Sequence, residues 1–170
     1  MKKVIMLAMV AFMTLAMSQK AQAIEDPNPK GTMVIGIRAG IRPLGYIGLG
    51  GSVVGDYTLV DSWWKGHFTV GGYAGYNFTR WDHESDFAFM PRATYGLNIT
   101  KEFEAHVAVM TGVCWRHWPS NYYEHNNEIR FAHGEVVGAR YMFTPGFGVE
   151  AEMGYVSYMS YLNIGVTFKL

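Results

Sequence analysis

The sequence predicts an all-β protein, an eight-stranded antiparallel transmembrane β-barrel preceded by a cleaved signal peptide. Three observations predict this fold class: a repeated alternation of apolar and polar residues, connections that alternate between short and long, and a low content of charge. Charged residues make up 16% and aromatic residues 15% of the 170 residues, whereas a soluble domain typically has roughly 25% charged residues. The single cysteine, Cys114, excludes an intramolecular disulfide and a zinc site built from cysteines.

The first 23 residues have the organisation of a secretory signal peptide. A basic start is followed by an apolar run over residues 4–17 and by the triplet Ala21-Gln22-Ala23, whose small-x-small form is typical of a signal-peptidase site. The apolar run is too short to span a membrane as a helix. Removal of residues 1–23 takes away three lysines and no acid, so the remaining chain has a formal net charge of −3.

The remaining chain divides into a short leader and one domain. Residues 24–31 form a Pro-rich periplasmic leader, and residues 32–170 form the barrel. Alternation with a period of two marks eight strand segments in the barrel. Each segment has about 9–13 residues, the length at which a tilted strand crosses a bilayer. The predicted strands cover residues 32–42, 47–59, 67–79, 87–99, 103–115, 131–143, 147–155 and 161–170.

The links between the segments indicate which end of the barrel faces the cell surface. Short links at residues 101–102 and 144–146 alternate with long polar or aromatic links at residues 80–86 and 116–130. Outer-membrane barrels have short periplasmic turns and longer external loops, so the long links are expected outside. Pro91 lies within the fourth segment, and because a closed barrel has no free edge, we expect it to mark a bulge or a strand end.

The two faces of the segments differ in a way that favours a membrane barrel. One face carries bulky apolar residues, whereas the other is rich in glycine, which suits a narrow interior where backbones approach closely. A water-facing surface would normally carry many lysines and glutamates. A soluble barrel of the lipocalin type, which buries the apolar face, is the alternative. The glycines of the polar face are Gly36, Gly40, Gly71, Gly75, Gly96, Gly112, Gly138, Gly148, Gly154 and Gly165.

The charged residues of the polar face define a candidate lumen network. Three cations against four acids can pair, and buried charges are tolerated only when they are paired and hydrogen-bonded. The interior of an eight-stranded barrel is just wide enough to be filled by side chains, so we expect a closed lumen. The predicted network residues are Arg38, Asp56, Arg92, Glu104, His106, Arg140, Glu150 and Glu152.

Tryptophans cluster at the ends of the predicted strands. Trp63 and Trp64 lie at one turn, and Trp81, Trp115 and Trp118 lie near the opposite loops. Interfacial tryptophan and tyrosine form girdles at both surfaces of a bilayer, so these five residues are predicted to form the aromatic girdle. An aromatic patch in the loops that binds a ligand is the alternative.

Several stretches of the chain resemble a known family. Residues 138–152 (GARYMFTPGFGVEAE) and 161–170 (YLNIGVTFKL) look like the end of small outer-membrane β-barrel proteins, and residues 71–76 (GGYAGY) and 90–95 (MPRATY) have the same style. Such proteins are labelled porin family or OmpX-like, and many are of Bacteroidetes type. The resemblance covers nearly the whole mature chain. It implies a Gram-negative outer-membrane location, with outer-membrane lipids and the barrel-assembly machinery as partners.

Three functions are compatible with these features. The first is a structural or surface-interaction role, in which the external loops meet a host or surface ligand. The second is a narrow porin-like channel for small solutes, and the third is a lipid-modifying enzyme. The absence of a basic face excludes an electrostatic nucleic-acid binder.

We predict no catalytic residues, no cofactor and no metal. A serine nucleophile needs a base within hydrogen-bond reach, and no His-x-Ser pair lies on one strand face. His106 and Glu104 share a face, but no serine accompanies them. The histidines of the loops have no spacing typical of a metal site.

Overall fold

The computed structural model of the protein describes residues 27–42, 48–64, 66–79, 84–118 and 127–170. Each strand pairs antiparallel with its neighbours in sequence, and β1 pairs with β8 to close the barrel, which confirms the predicted fold class. The strands are β1 (Met33–Arg42), β2 (Gly48–Trp63), β3 (Gly66–Thr79), β4 (Glu84–Asn98), β5 (Phe103–His117), β6 (Asn127–Thr144), β7 (Phe147–Val156) and β8 (Leu162–Lys169).

The predicted signal peptide, residues 1–23, lies outside the described residues, as do residues 24–26 of the leader. Both boundaries stay predictions. Within the described part of the chain, no helix is long and apolar enough to cross a membrane.

Each predicted segment corresponds to one strand, and the largest differences are extensions. β6 begins at Asn127 instead of residue 131, because β5 and β6 stay paired as far as His117 and Asn127. β2 runs to Trp63 instead of residue 59, across irregularities in its ladder between Thr58 and Trp63. A bulge inserts an extra residue and breaks the alternation, so the end of β2 cannot be recognised from periodicity.

The expectation for Pro91 is wrong. Pro91 lies in the middle of β4, opposite Gly72 of β3. In the ladder with β5, the register is the same before and after the proline, because Phe89 faces Val113 and Arg92 faces Met110. The missing N–H of proline therefore interrupts one ladder without displacing the strand.

The walls of the barrel reverse the arrangement of a soluble protein. Outward side chains such as Ile37 and Phe89 are 52% and 56% exposed, whereas their inward neighbours Arg38 and Met90 are buried. An apolar outer wall around a polar interior is the arrangement of a transmembrane barrel, in which the outer band meets lipid. Closure satisfies the backbone hydrogen bonds that lipid could not.

Adjacent glycines of β3 show how tightly neighbouring strands approach. A Cβ atom added at Gly71 would fall on the carbonyl oxygen of Gly55 in β2, whereas a Cβ at Gly72 would have no atom within 4 Å. Because the obstacle at Gly71 is backbone, it cannot be relieved by rotating a side chain.

We predict that Gly71→Ala destabilises the barrel by about 1–3 kcal/mol, the usual cost of overpacking. Gly72→Ala is the matched control and should leave stability unchanged. Urea unfolding in lipid vesicles, followed by the difference in gel mobility between folded and unfolded barrel, measures both variants. Equal unfolding midpoints would show that the close approach at Gly71 is not a constraint.

Candidate functional site: the closed lumen

The lumen has two levels. The ionic level lies toward the end with the short turns, which we expect to face the periplasm and call the periplasmic end. The apolar level lies toward the opposite end, which we call the external end. The ionic level brings together all eight residues of the predicted network, and each is at most 5% exposed. Inward positions of six strands supply them: Arg38 from β1, Asp56 from β2, Arg92 from β4, Glu104 and His106 from β5, Arg140 from β6, and Glu150 and Glu152 from β7.

Glu152 pairs with two arginines. Arg92 donates to both of its carboxylate oxygens, at 3.1 and 2.6 Å, in a fork geometry that suits guanidinium and carboxylate groups. Arg38 also pairs with Glu152. The Nε atom of Arg92 lies 3.2 Å from Oδ1 of Asp56, so Arg92 joins two acids from different strands.

Arg140 forms the second centre of the network. Its Nη1 atom lies 3.1 Å from Oε1 of Glu104, and its Nη2 atom lies 3.1 Å from Oε2 of Glu150. His106 connects the two centres, with Nε2 at 3.0 Å from Oε1 of Glu152 and Nδ1 at 3.4 Å from Oε1 of Glu104. Every acid of the predicted network therefore has an arginine partner.

The leader closes the periplasmic end of the network. Asn28 is 5% exposed, and its amide donates to Oε2 of Glu104 at 2.8 Å. Lys169 of β8 donates to the carbonyl of Pro27, and the backbone N–H of Gly31 donates to Thr58 at 3.0 Å. Residues 27–31 of the leader thus fold against this end of the barrel, a contact that the sequence did not predict.

The apolar level lies above the ionic one. The methionines Met90 and Met159 are at most 1% exposed, and Met110 is 4% exposed. Met159 comes from the link between β7 and β8, which turns into the barrel. The buried cluster consists of Val54, Tyr73, Ala88, Met90, Ala108, Met110, Cys114, Ala132, Val136, Val156 and Met159.

A cluster of ions and aromatic rings covers the external mouth. Arg116 pairs with Glu84 and, through Nε, with Asp86 at 3.0 Å. The guanidinium carbon of Arg116 lies 4.5 Å from the ring centre of Tyr158 and 4.8 Å from that of Trp118, which are cation–π distances. The side chains of the mouth therefore bind one another across β4, β5 and the link after β7.

The structure describes four of the five tryptophans of the predicted girdle. Trp63 and Trp64 at the periplasmic end and Trp115 at the external end are exposed. Trp118 stacks on Arg116 over the mouth instead of pointing to lipid, because it follows the end of β5 and turns over the barrel. Trp81 lies outside the described residues.

One serine–histidine contact was missed by the sequence analysis. Ser157 Oγ lies 3.3 Å from Nδ1 of His133, across the top of β6 and β7. Ser157 is only 4% exposed, however, and its oxygen also accepts the backbone N–H of His133 at 3.2 Å. The contact therefore caps the external end of the β6–β7 ladder. Because the Ser157 hydroxyl is buried and hydrogen-bonded to backbone, it is poorly placed to act as a nucleophile.

Within the described ranges, no group of three His, Cys, Asp or Glu residues is placed to hold a metal ion.

Comparisons with known proteins place the fold. No family model and no curated sequence matches the chain. A de novo designed transmembrane β-barrel aligns with a TM-score of 0.54 and 14% identity, over 84% of this chain and 98% of the design. The N-terminal β-barrel domain of Pseudomonas aeruginosa OprF aligns with a TM-score of 0.53 and 17% identity, over 83% of this chain and 98% of that domain.

The third similar structure is Ail, the attachment invasion locus protein of Yersinia pestis. It aligns with a TM-score of 0.50 and 12% identity, over 84% of this chain and all of that chain, a coverage of 100%. At these identities the similarity establishes the fold alone. The fold is the small eight-stranded transmembrane β-barrel, as in the two outer-membrane proteins.

We predict that Arg92→Met destabilises the barrel by about 3–5 kcal/mol, because removing one partner leaves buried carboxylates without full compensation. Arg130 is the matched control, since it pairs with Glu128 at 2.8 Å in the exposed external part of β6. Arg130→Met should not change the unfolding midpoint, because exposed ion pairs contribute little. Urea unfolding in vesicles measures both, and equal effects would refute the special role of the lumen network.

Proposed function

We propose that the protein is a non-conducting outer-membrane barrel that has a structural role and presents its external loops to partners at the cell surface. The observation that carries the proposal is the filled lumen. Side chains occupy both of its levels, the leader lies across the periplasmic end, and Arg116 with its partners covers the external mouth. A barrel built in this way holds loops in place rather than passing solutes.

The external end of the barrel has a long hairpin that suits a role at the cell surface. β5 and β6 stay paired to His117 and Asn127, beyond the start of the β6–β7 ladder at Gly134. The β5–β6 hairpin therefore extends beyond the end of β7, and residues 119–126 lie between its two strands in the sequence. Loops fixed on a rigid scaffold are where binding residues concentrate in many proteins. Ail, which is named for attachment and invasion, is a precedent for such a role on the same fold.

A channel and a lipid-modifying enzyme are the alternatives. The channel is the second candidate, because conduction would require the three lumen arginines and the methionines above them to move together. The enzyme is the third candidate, because Ser157 is buried and bound to backbone. Export by a signal peptide, insertion by the barrel-assembly machinery and contact with outer-membrane lipids are parts of the same proposal.

Conductance measurements distinguish a filled barrel from a channel. We expect the purified mature protein to give no stepwise current in planar lipid bilayers, because side chains of the described residues fill both levels of the lumen. Gel mobility and protease protection confirm that the same preparation is folded and inserted. Reproducible, ion-selective current steps from the inserted protein would favour the channel.

Epitope insertion tests the orientation on which the surface role depends. An antibody should label intact cells when its epitope is inserted within residues 119–126. The same epitope inserted between Lys101 and Glu102 should be labelled only after the outer membrane is permeabilised, because short turns face the periplasm. The reverse pattern would contradict presentation of the long loops at the surface.

A further inference from the structure

The leader crosses the periplasmic end of the barrel along a defined path. Gly31 has a backbone φ of 96°, in the left-handed region that favours glycine. The N–H of Thr32 donates to the carbonyl of Pro29 at 3.0 Å and closes a turn just before β1. From this turn the chain reaches Glu104 of β5 through Asn28. Because β5 lies diametrically opposite β1 in the ring of eight strands, the leader spans the opening of the lumen.

Asn28 is the side chain that anchors the leader. It is 5% exposed, although residues 29–30, which follow it, are exposed. Its amide donates to Oε2 of Glu104 at 2.8 Å, and Nε2 of His67 and Oδ1 of Asn98 lie 3.4 and 3.5 Å away. A hydrogen bond to an ionised group is stronger than one between neutral groups. One polar side chain of the leader is therefore inserted into the ionic level of the lumen.

Bonds to the backbone hold the leader on either side of this anchor. Lys169 of β8 donates to the carbonyl of Pro27. The N–H of Lys30 donates to Oδ2 of Asp61 at 3.2 Å, in an exposed position. Segments held by exposed backbone hydrogen bonds and little buried apolar surface open at a low cost in free energy. The leader has these features, apart from its one buried anchor.

Closure of the barrel does not run through the leader. At the periplasmic end of the seam, the N–H of Met33 donates to the carbonyl of Leu170 at 3.1 Å, and the N–H of Leu170 donates back at 2.8 Å. Glu104 also has a second partner, because Nη1 of Arg140 lies 3.1 Å from its Oε1. The leader can therefore leave without opening the seam between β1 and β8 and without leaving Glu104 unpaired.

We propose that the periplasmic end of the barrel is a seat for a peptide segment, that residues 27–31 are its tethered occupant, and that this segment, the floor strap, undocks while the barrel stays folded. The seat selects an asparagine beside a peptide carbonyl, because it presents the carboxylate of Glu104 as acceptor and the ammonium of Lys169 as donor. The prolines on both sides of the asparagine restrict the free strap, which lowers the entropy cost of docking. Undocking opens the ionic level to water, while the apolar level above it stays filled.

Limited proteolysis tests the proposal on the mature protein in lipid nanodiscs, where both ends of the barrel are accessible. Trypsin cleaves after lysine, and the docked strap protects the bond after Lys30 because the N–H groups of Lys30 and Gly31 are hydrogen-bonded. Asn28→Ala should raise the cleavage rate roughly tenfold or more, since a buried hydrogen bond to a charged group is lost. Asn127→Ala, the same change at an exposed position of β6, is the matched control and should not alter the rate. Mass spectrometry identifies the product that begins at Gly31, and gel mobility confirms that every variant is folded.

The dependence on urea separates undocking of the strap from unfolding of the barrel. Sensitivity to denaturant scales with the surface that an opening exposes. Below the unfolding midpoint, cleavage after Lys30 should therefore rise only weakly with urea.

A buried thiol gives a second readout of the seat. Val34 is 3% exposed and lines the same small cavity as Pro27 and Asn28. In a Cys114→Ala background, Val34→Cys should react slowly with a charged thiol reagent, and adding Asn28→Ala should speed the reaction severalfold. Three results would overturn the proposal: Asn28→Ala leaves the cleavage rate unchanged, it leaves the labelling rate unchanged, or cleavage follows the steep urea dependence of barrel unfolding.

Discussion

Pairing of β1 with β8 is the constraint on which the rest of the molecule depends. Once the sheet closes, each strand has one face toward a narrow interior and one toward the outside, and no strand has a free edge in its paired part. The interior is so crowded that side chains must fit together across it, which explains why Gly138 leaves space for His106 and Glu152. Closure thus determines where charge, glycine and bulky apolar residues can be placed.

The two levels of the lumen satisfy this constraint in different ways. Toward the periplasm, arginines and carboxylates from six strands fix one another, and the loss of any one partner leaves a buried charge. Toward the outside, methionines and small apolar residues fill the same cross-section without directional bonds. Methionine adapts its shape to irregular gaps, whereas the ionic level requires defined geometry. The lower level therefore ties the strands together by directional bonds, and the upper level fills the remaining space.

Much of this architecture could be predicted from residue order. The alternation of β1 and β8 and the inward placement of Arg38 and Arg92 follow from a period of two, which is a local property. The docking of Asn28 against Glu104 and of Met159 into the upper level could not be predicted. Both residues come from segments without periodicity and meet partners far away in sequence.

The unequal lengths of the strands have a consequence for how the barrel can open. β8 has eight residues and β6 has 18, so the ladder of β8 with either neighbour, β1 or β7, is shorter than the ladder of β6 with β5. If local opening follows the number of bonds that must break, amide protons of β8 exchange with solvent sooner than those of the β5–β6 hairpin. The seam between β1 and β8 is then the part of the barrel that opens first, and the β5–β6 hairpin is the part that stays paired longest.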